Sequence, residues 1–195
     1  LPPITRTCGL ITKGAGDMNA ANAFLNPQPL TAPPRTVPGR ADDTWSYGRR
    51  VGYTDGSCKW TKREHALRRA GYGLAWGADH PENLAEPLRG PWQSSQRAEL
   101  TAALHMTLAH QAGPLLIRTD SAWTMAGGLL PLQGYRPDSK WESADLWREW
   151  ARALAARPAG NPVFLQKVKA HVSEEHFAQG IITRDEAEGN ERADA

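Results

Sequence analysis

Two strand-like segments of this chain each run straight into an aspartate, and that pairing narrows the fold more than any other feature. In residues 49–58, Val51 and Tyr53 alternate with Gly52 and Thr54, then the chain meets Asp55 and breaks at Gly56. In residues 114–119 a short apolar run (Pro-Leu-Leu-Ile-Arg-Thr) has the length and character of a buried strand, and Asp120 follows at once. An Asp-Gly step by itself is an ordinary tight turn. If the two strands are adjacent and parallel, however, both carboxylates emerge on the same side of one sheet.

The rest of the pattern supplies such a sheet. Residues 71–78 alternate small and large side chains, and 86–92 can form a third strand. The order strand, loop, strand, strand predicts an antiparallel meander. Residues 95–110 form the clearest helix, with Ser95 as its cap and Leu100, Leu104 and Leu108 spaced i, i+4, i+8. Glu99 stands one turn into it. A second helix begins at Ser121, and Gly127-Gly128 is expected to end it. Residues 129–140 are irregular. In 144–156, Leu146, Trp147, Trp150 and Leu154 make one apolar stripe. The last strand covers 161–169 and ends at His171. A polar stretch then leads to a final helix beginning at Gly189, which carries Asp194. The expected architecture is α/β: a five-stranded mixed sheet, its first three strands antiparallel, flanked by helices. Trp60, Trp76, Trp92 and Trp123 are expected at the core or its rim, with base-stacking platforms the alternative.

Seven of the 15 prolines precede Arg40. Proline disfavours helix and central strand, so 1–45 reads as a Pro-rich arm or linker, with a short helix at 17–25, and 46–195 as the domain. The chain starts at Leu1 and stops one residue past Asp194, so a piece of a longer polypeptide is expected. Its 195 residues, 40% hydrophobic, suffice for one packed core. A net charge of +2 permits nucleic-acid binding without arguing for it. Cys8 and Cys58 make no disulfide framework, no apolar run is long enough for a bilayer, and the residues show no signal-peptide pattern. An intracellular, monomeric domain of nucleus or cytoplasm, with no membrane, is expected. His105 and His110 with two distant cysteines make no zinc pattern.

Asp55, Glu99, Asp120 and Asp194 can converge on one sheet edge. Four crowded carboxylates repel and raise one another's pKa, and divalent cations relieve that cost. All-oxygen donors suit Mg²⁺, with Mn²⁺ able to substitute. Two such ions about 4 Å apart serve phosphodiester hydrolysis.

The stretches Tyr-Thr-Asp-Gly-Ser-Cys at 53–58, Ser-Gln-Arg-Ala-Glu-Leu at 95–100, Ile-Arg-Thr-Asp-Ser at 117–121 and Gly-Asn-Glu-Arg-Ala-Asp at 189–194 resemble the four acidic motifs of type 1 ribonuclease H, in that family's order. Val168 to His171 resembles the strand end carrying its catalytic-loop histidine, and Asp145-Leu146-Trp147 its fourth helix. The likeness spans residues 49–195 and is closest in flavour to the domains of retroelements. It implies an RNase H-like fold and cleavage of the RNA strand of RNA–DNA hybrids by two Mg²⁺ ions, leaving 3′-hydroxyl and 5′-phosphate ends. Asp55 would bridge both ions, Glu99 and Asp120 would hold the leaving-group ion, and Asp194 the ion beside the attacking water. Glu99 would also lie near the 2′-hydroxyl. His171 would assist proton movement or product departure, with His176 the alternative. Gly56, Ser57, Ser95, Gln96 and Ser121 would contact the hybrid. Gly56 would allow a nucleic-acid backbone to come close. Only Arg136 and Lys140 are cationic where bacterial members carry a basic substrate handle, and the basic loop at 59–69, with Lys62 and Arg63, is expected to compensate. A reverse transcriptase domain upstream is the implied covalent partner. The alternatives are a degenerate nucleic-acid-binding or scaffolding module and a transposase or integrase core.

Overall fold

The computed structural model describes residues 43–194. The expected arm at 1–45 and helix at 17–25 therefore lie almost entirely outside the described residues. Six strands form one mixed sheet: β1 (Trp45–Ser46), β2 (Arg49–Lys59), β3 (Arg69–Ala75), β4 (Leu84–Pro87), β5 (Leu115–Thr119) and β6 (Val163–Lys167). Among the described residues five helices accompany it: α1 (Ser95–Ala109), α2 (Ala122–Leu132), α3 (Ala144–Ala155), α4 (Glu174–Ala178) and α5 (Arg184–Asp194). The sheet order is β4-β3-β2-β5-β6, with the short β1 also on β2. The first three long strands are antiparallel, and β5 and β6 run parallel to β2. β1 is an addition to the expected five strands. It is joined to β2 by Tyr47-Gly48, both at positive φ (48° and 73°), the geometry of a two-residue hairpin turn.

The boundaries that differ from expectation do so for local reasons. β4 stops at Pro87 instead of running to Trp92, because a buried glutamine takes over the ladder. Gln93 Oε1 accepts the Ala70 amide at 2.7 Å, and its Nε2 donates to the Leu88 and Gly90 carbonyls. α1 is capped by Ser94, whose hydroxyl accepts the Arg97 amide at 3.2 Å, not by Ser95. α2 continues past Gly127-Gly128 to Leu132. A Cβ on Gly127 would sit 2.4 Å from the Trp147 ring and one on Gly128 2.6 Å from Leu165, so these glycines permit packing and do not end the helix. The final helix starts at Arg184, five residues before Gly189. Thr183 and Glu186 cap it reciprocally: Thr183 N donates to Glu186 Oε2 at 3.0 Å, and Glu186 N donates to Thr183 Oγ1 at 3.2 Å.

The main core lies between one face of the sheet and α1 with α3. Trp76, Leu100, Leu104, Met106, Trp147 and Trp150 are fully buried. Trp147 meets Trp123, Trp141 and Trp150 at centroid distances of 5.0, 5.9 and 5.7 Å; such pairs add about 0.5–1.5 kcal/mol each beyond area burial. Arg97 clasps both oxygens of Asp145, tying α1 to α3. α5 covers the opposite face, over Val51, Tyr53 and Leu116. Trp60 departs from the core expectation: it is 55% exposed where the β2–β3 loop begins, directly after Lys59. Among the described residues no helix is long and apolar enough to cross a membrane.

Candidate active site

The register of the sheet brings the first two acids together. Thr54 on β2 pairs with Thr119 on β5 in the parallel ladder, so Asp55 and Asp120, one residue on, leave adjacent strands side by side. Glu99 arrives from α1, which lies hard against β2. A Cβ on Gly56 would fall 2.3 Å from the Glu99 amide nitrogen. Gly56 therefore makes room for a helix, where the sequence suggested room for a nucleic-acid backbone. One carboxylate oxygen from each of Asp55, Glu99 and Asp120 lies within 4.8 Å of the others.

Asp194 joins from the other face. Across the antiparallel ladder Asp55 faces Gly73, and a Cβ there would collide with the Ala193 carbonyl at 1.9 Å. The bare backbone at Gly73 lets the end of α5 settle on the sheet, which sets Asp194, exposed, beside Asp55. The Asp194 charge acts on Asp55. Asn190, one turn earlier on α5, donates to Asp120 Oδ2 at 3.4 Å. Lys167 Nζ donates to the Asp120 carbonyl at 3.1 Å. Neither residue was singled out from sequence, although the i−4 spacing of Asn190 from Asp194 is a readable sign that both share one helical face.

The electrostatics follow from burial and crowding. Burial first, then the Asp120 and Asp194 charges, push Asp55 up to about 6, against a 2.6 Å hydrogen bond from the Gly56 amide. Glu99 is only 8% exposed. Burial, then Asp55 and Asp120, push it up to about 9, opposed by the Thr119 hydroxyl at 3.5 Å. The opposing hydrogen bonds come from neutral donors. Among the described residues none of the four acids forms an ion pair. Hard, all-oxygen, charge-starved donors of this kind fit a small divalent cation.

Ser57 is exposed just beyond Asp55, and Ser95 and Gln96 open α1 with the Ser95 hydroxyl against Gln96 Oε1 at 3.3 Å. Ser121 caps α2, accepting the Thr124 amide at 3.1 Å. His171 is exposed past β6 at φ 49°. His176 is occupied in capping α4, its Nδ1 accepting the Ser173 amide at 3.0 Å. Lys62 and Arg63 are exposed in the β2–β3 turn. A cavity of about 360 Å³ adjoins the acids, lined by Asp55, Gly56, Ser57 and Asp194 and, further out, by Lys59 and Arg69.

Comparison with known proteins now bears on this arrangement. The RNase H family model matches residues 49–195. Ribonuclease H1 of Mus musculus is 40% identical over 99 residues, 48% of this chain and 34% of that protein. Ribonuclease H of Schizosaccharomyces pombe is 29% identical over 147 residues, 75% of this chain and 50% of that protein. The chain thus spans between a third and a half of these relatives' lengths. The solution structure of the PFV RNase H domain superposes with a TM-score of 0.51 at 25% identity, over 74% of this chain and 88% of that one. The crystal structure of Prototype Foamy Virus Protease-Reverse Transcriptase superposes with a TM-score of 0.50 at 20% identity, over 80% of this chain and 21% of that one, a likeness of fold. On the family match and the fold that carries the acids, the chain belongs to the type 1 ribonuclease H family.

Proposed function

We propose that this chain hydrolyses the RNA strand of RNA–DNA hybrids, leaving 3′-hydroxyl and 5′-phosphate ends. The observation that carries the reading is the convergence of Asp55, Glu99 and Asp120 within 4.8 Å. Asp55, Glu99, Asp120 and Asp194 would hold two Mg²⁺ ions, with Mn²⁺ an acceptable substitute. Such ions supply Lewis acidity for water activation and for the leaving oxygen. The protein's part is geometric. Asp55 and Asp120 fix one end of the reacting phosphodiester at the strand ends. Glu99, on α1, stands toward the 2′-hydroxyl that distinguishes RNA from DNA. Ser57, Ser95 and Gln96 border the groove, with Gly56 and Ser121 shaping it. His171, unencumbered where His176 serves as a cap, assists proton movement or product departure. Lys62 and Arg63 meet phosphates of the hybrid further out.

A scaffold without activity has no need of buried, mutually repelling acids, which count against a degenerate module. The Asp-Gly-Ser turn and a glutamate on the first long helix favour ribonuclease H over a transposase or integrase core. A retroelement setting, with a reverse transcriptase upstream and an intracellular site of action, completes the proposal; the flanking sequence tests it. The activity is tested by hybrid cleavage in Mg²⁺. Asp55→Asn and Asp120→Asn should each lower the rate by more than the 10- to 100-fold typical of losing an outer-shell partner of a metal site. Cleavage that survives both substitutions would reject the site.

A further inference from the structure

The cavity beside the acids changes sign along its length. Its inner end carries Asp55 and Asp194; its outer end carries Lys59 and Arg69. Those two cations sit directly opposite each other on β2 and β3, where like charges repel and cost stability. Neither is ion-paired among the described residues. The nearby acid of the cavity, Glu86, is engaged by the Tyr72 hydroxyl at 3.1 Å. Arg69 is also held in place. Arg69 donates to the Ala66 and Arg68 carbonyls at 2.9 and 2.7 Å, and Arg68 to the Arg63 carbonyl at 3.3 Å, so the loop is folded around its own guanidiniums. Beside them Trp60 holds a left-handed φ of 59°, a costly conformation for a bulky residue, and leaves 55% of its surface exposed. A repelling pair of cations, kept in register next to a displayed aromatic ring, is the chemistry of a nucleic-acid contact, with phosphates on the cations and a flat surface for a sugar or base.

We infer that the end of the β2–β3 hairpin, Lys59 and Arg69 with Trp60, is a second nucleic-acid seat that grips the hybrid beyond the cleavage point. The inference rests on the proposed hybrid substrate and adds where that substrate is held. Asp55 and Lys59 are four residues apart on one strand, about 13–14 Å at the usual rise, so the seat takes phosphates about four base-pair steps from the scissile bond. Hybrids too short to reach it gain nothing from it. This seat differs from Lys62 and Arg63, which do not line the cavity.

The test is hybrid binding in an Asp55→Asn background with Mg²⁺, from 50 to 300 mM salt. Replacing Lys59 and Arg69 together by Gln should weaken a 12-base-pair hybrid at least tenfold and flatten the slope of log K against log salt by about 1 to 2. Trp60→Ala should weaken it about 5-fold or more, with Trp60→Phe restoring most of the loss. Arg184→Gln, an exposed cation paired with Glu174 away from the groove, controls for net charge and should leave the slope as it was. Hybrid binding with a slope unaltered by the double variant, or a double variant no worse on a 12-mer than on a 4-mer, overturns the inference alone. A parent chain that binds no hybrid overturns the substrate reading and the seat together.

Discussion

At one end of β2 Arg50 lies buried among carboxylates; at the other, Asp55 lies among carboxylates that form no ion pair among the described residues. The Arg50 end is compensated. Its guanidinium contacts Asp43 at 2.6 Å and Glu82 at 3.1 Å, stacks 3.8 Å from the Trp76 ring centre, and approaches His110 Nδ1 at 3.3 Å. His80 reaches the same Asp43 oxygen at 3.1 Å. Burial, then the Arg50 and Arg157 charges, push His110 down to about 4, so it stays neutral beside the guanidinium. The Asp55 end puts similar burial to the opposite use, leaving negative charge for something outside the chain to balance. A buried cluster that balances itself reads as structural; one of a single sign is a functional-site candidate.

Neutralising each end should break this symmetry in opposite directions. The largest effect is at the structural end. Arg50→Met takes the guanidinium from the Asp43 and Glu82 carboxylates while His80 still reaches Asp43, and should cost about 3 kcal/mol in chemical denaturation, the low end for breaking a buried pair. Glu99→Gln should do the reverse. With its folded pKa raised to about 9, Glu99 favours the native state fully only below its unfolded pKa near 4.5, and that contribution is lost as pH rises toward 9. Metal-free stability should therefore fall with pH, by up to about 1.4 kcal/mol per pH unit for one such group. Asp55, raised to about 6, adds to the fall between pH 4 and 6. Glu99→Gln should flatten the profile and gain on the order of 2 kcal/mol at pH 8 without divalent ions. His110 acts oppositely: its depressed pKa removes stability as pH drops from 6.5 to 4, so over that window it offsets part of the fall that the acids produce. The smallest effect is expected at Asn190. Asn190→Ala removes the 3.4 Å hydrogen bond to Asp120 and should weaken Mg²⁺ binding about tenfold, the lower range for an outer-shell partner, measured by calorimetry.

The two ends also differ in how legible they were. Asp55 and Asp120 could be placed because strand period and the position of an acid at a strand end are local features, and only strand adjacency had to be supposed. The Arg50 network left no trace, since Asp43, His80, Glu82 and His110 are scattered along the chain and meet only in the fold. Glycines were the recurring source of error. Gly127-Gly128 read as a helix stop, yet they admit Trp147 and Trp150. Gly56 and Gly73 admit α1 and α5, and so position two of the four acids. A glycine's sequence context does not say whether it turns the chain or yields space to a neighbour. The reciprocal cap of Thr183 and Glu186, by contrast, was readable and would have placed the start of α5.

The central claim is that the Asp55 end is a divalent-metal site, and Mg²⁺ titration calorimetry at pH 8, repeated in buffers of different ionisation enthalpy, tests it most directly. Because Glu99 with a pKa near 9 still holds its proton at that pH, binding should release close to one proton per chain, and Asp55→Asn together with Asp120→Asn should abolish the heat of binding. Binding that releases no proton, or that persists in the doubly substituted chain, would contradict the account.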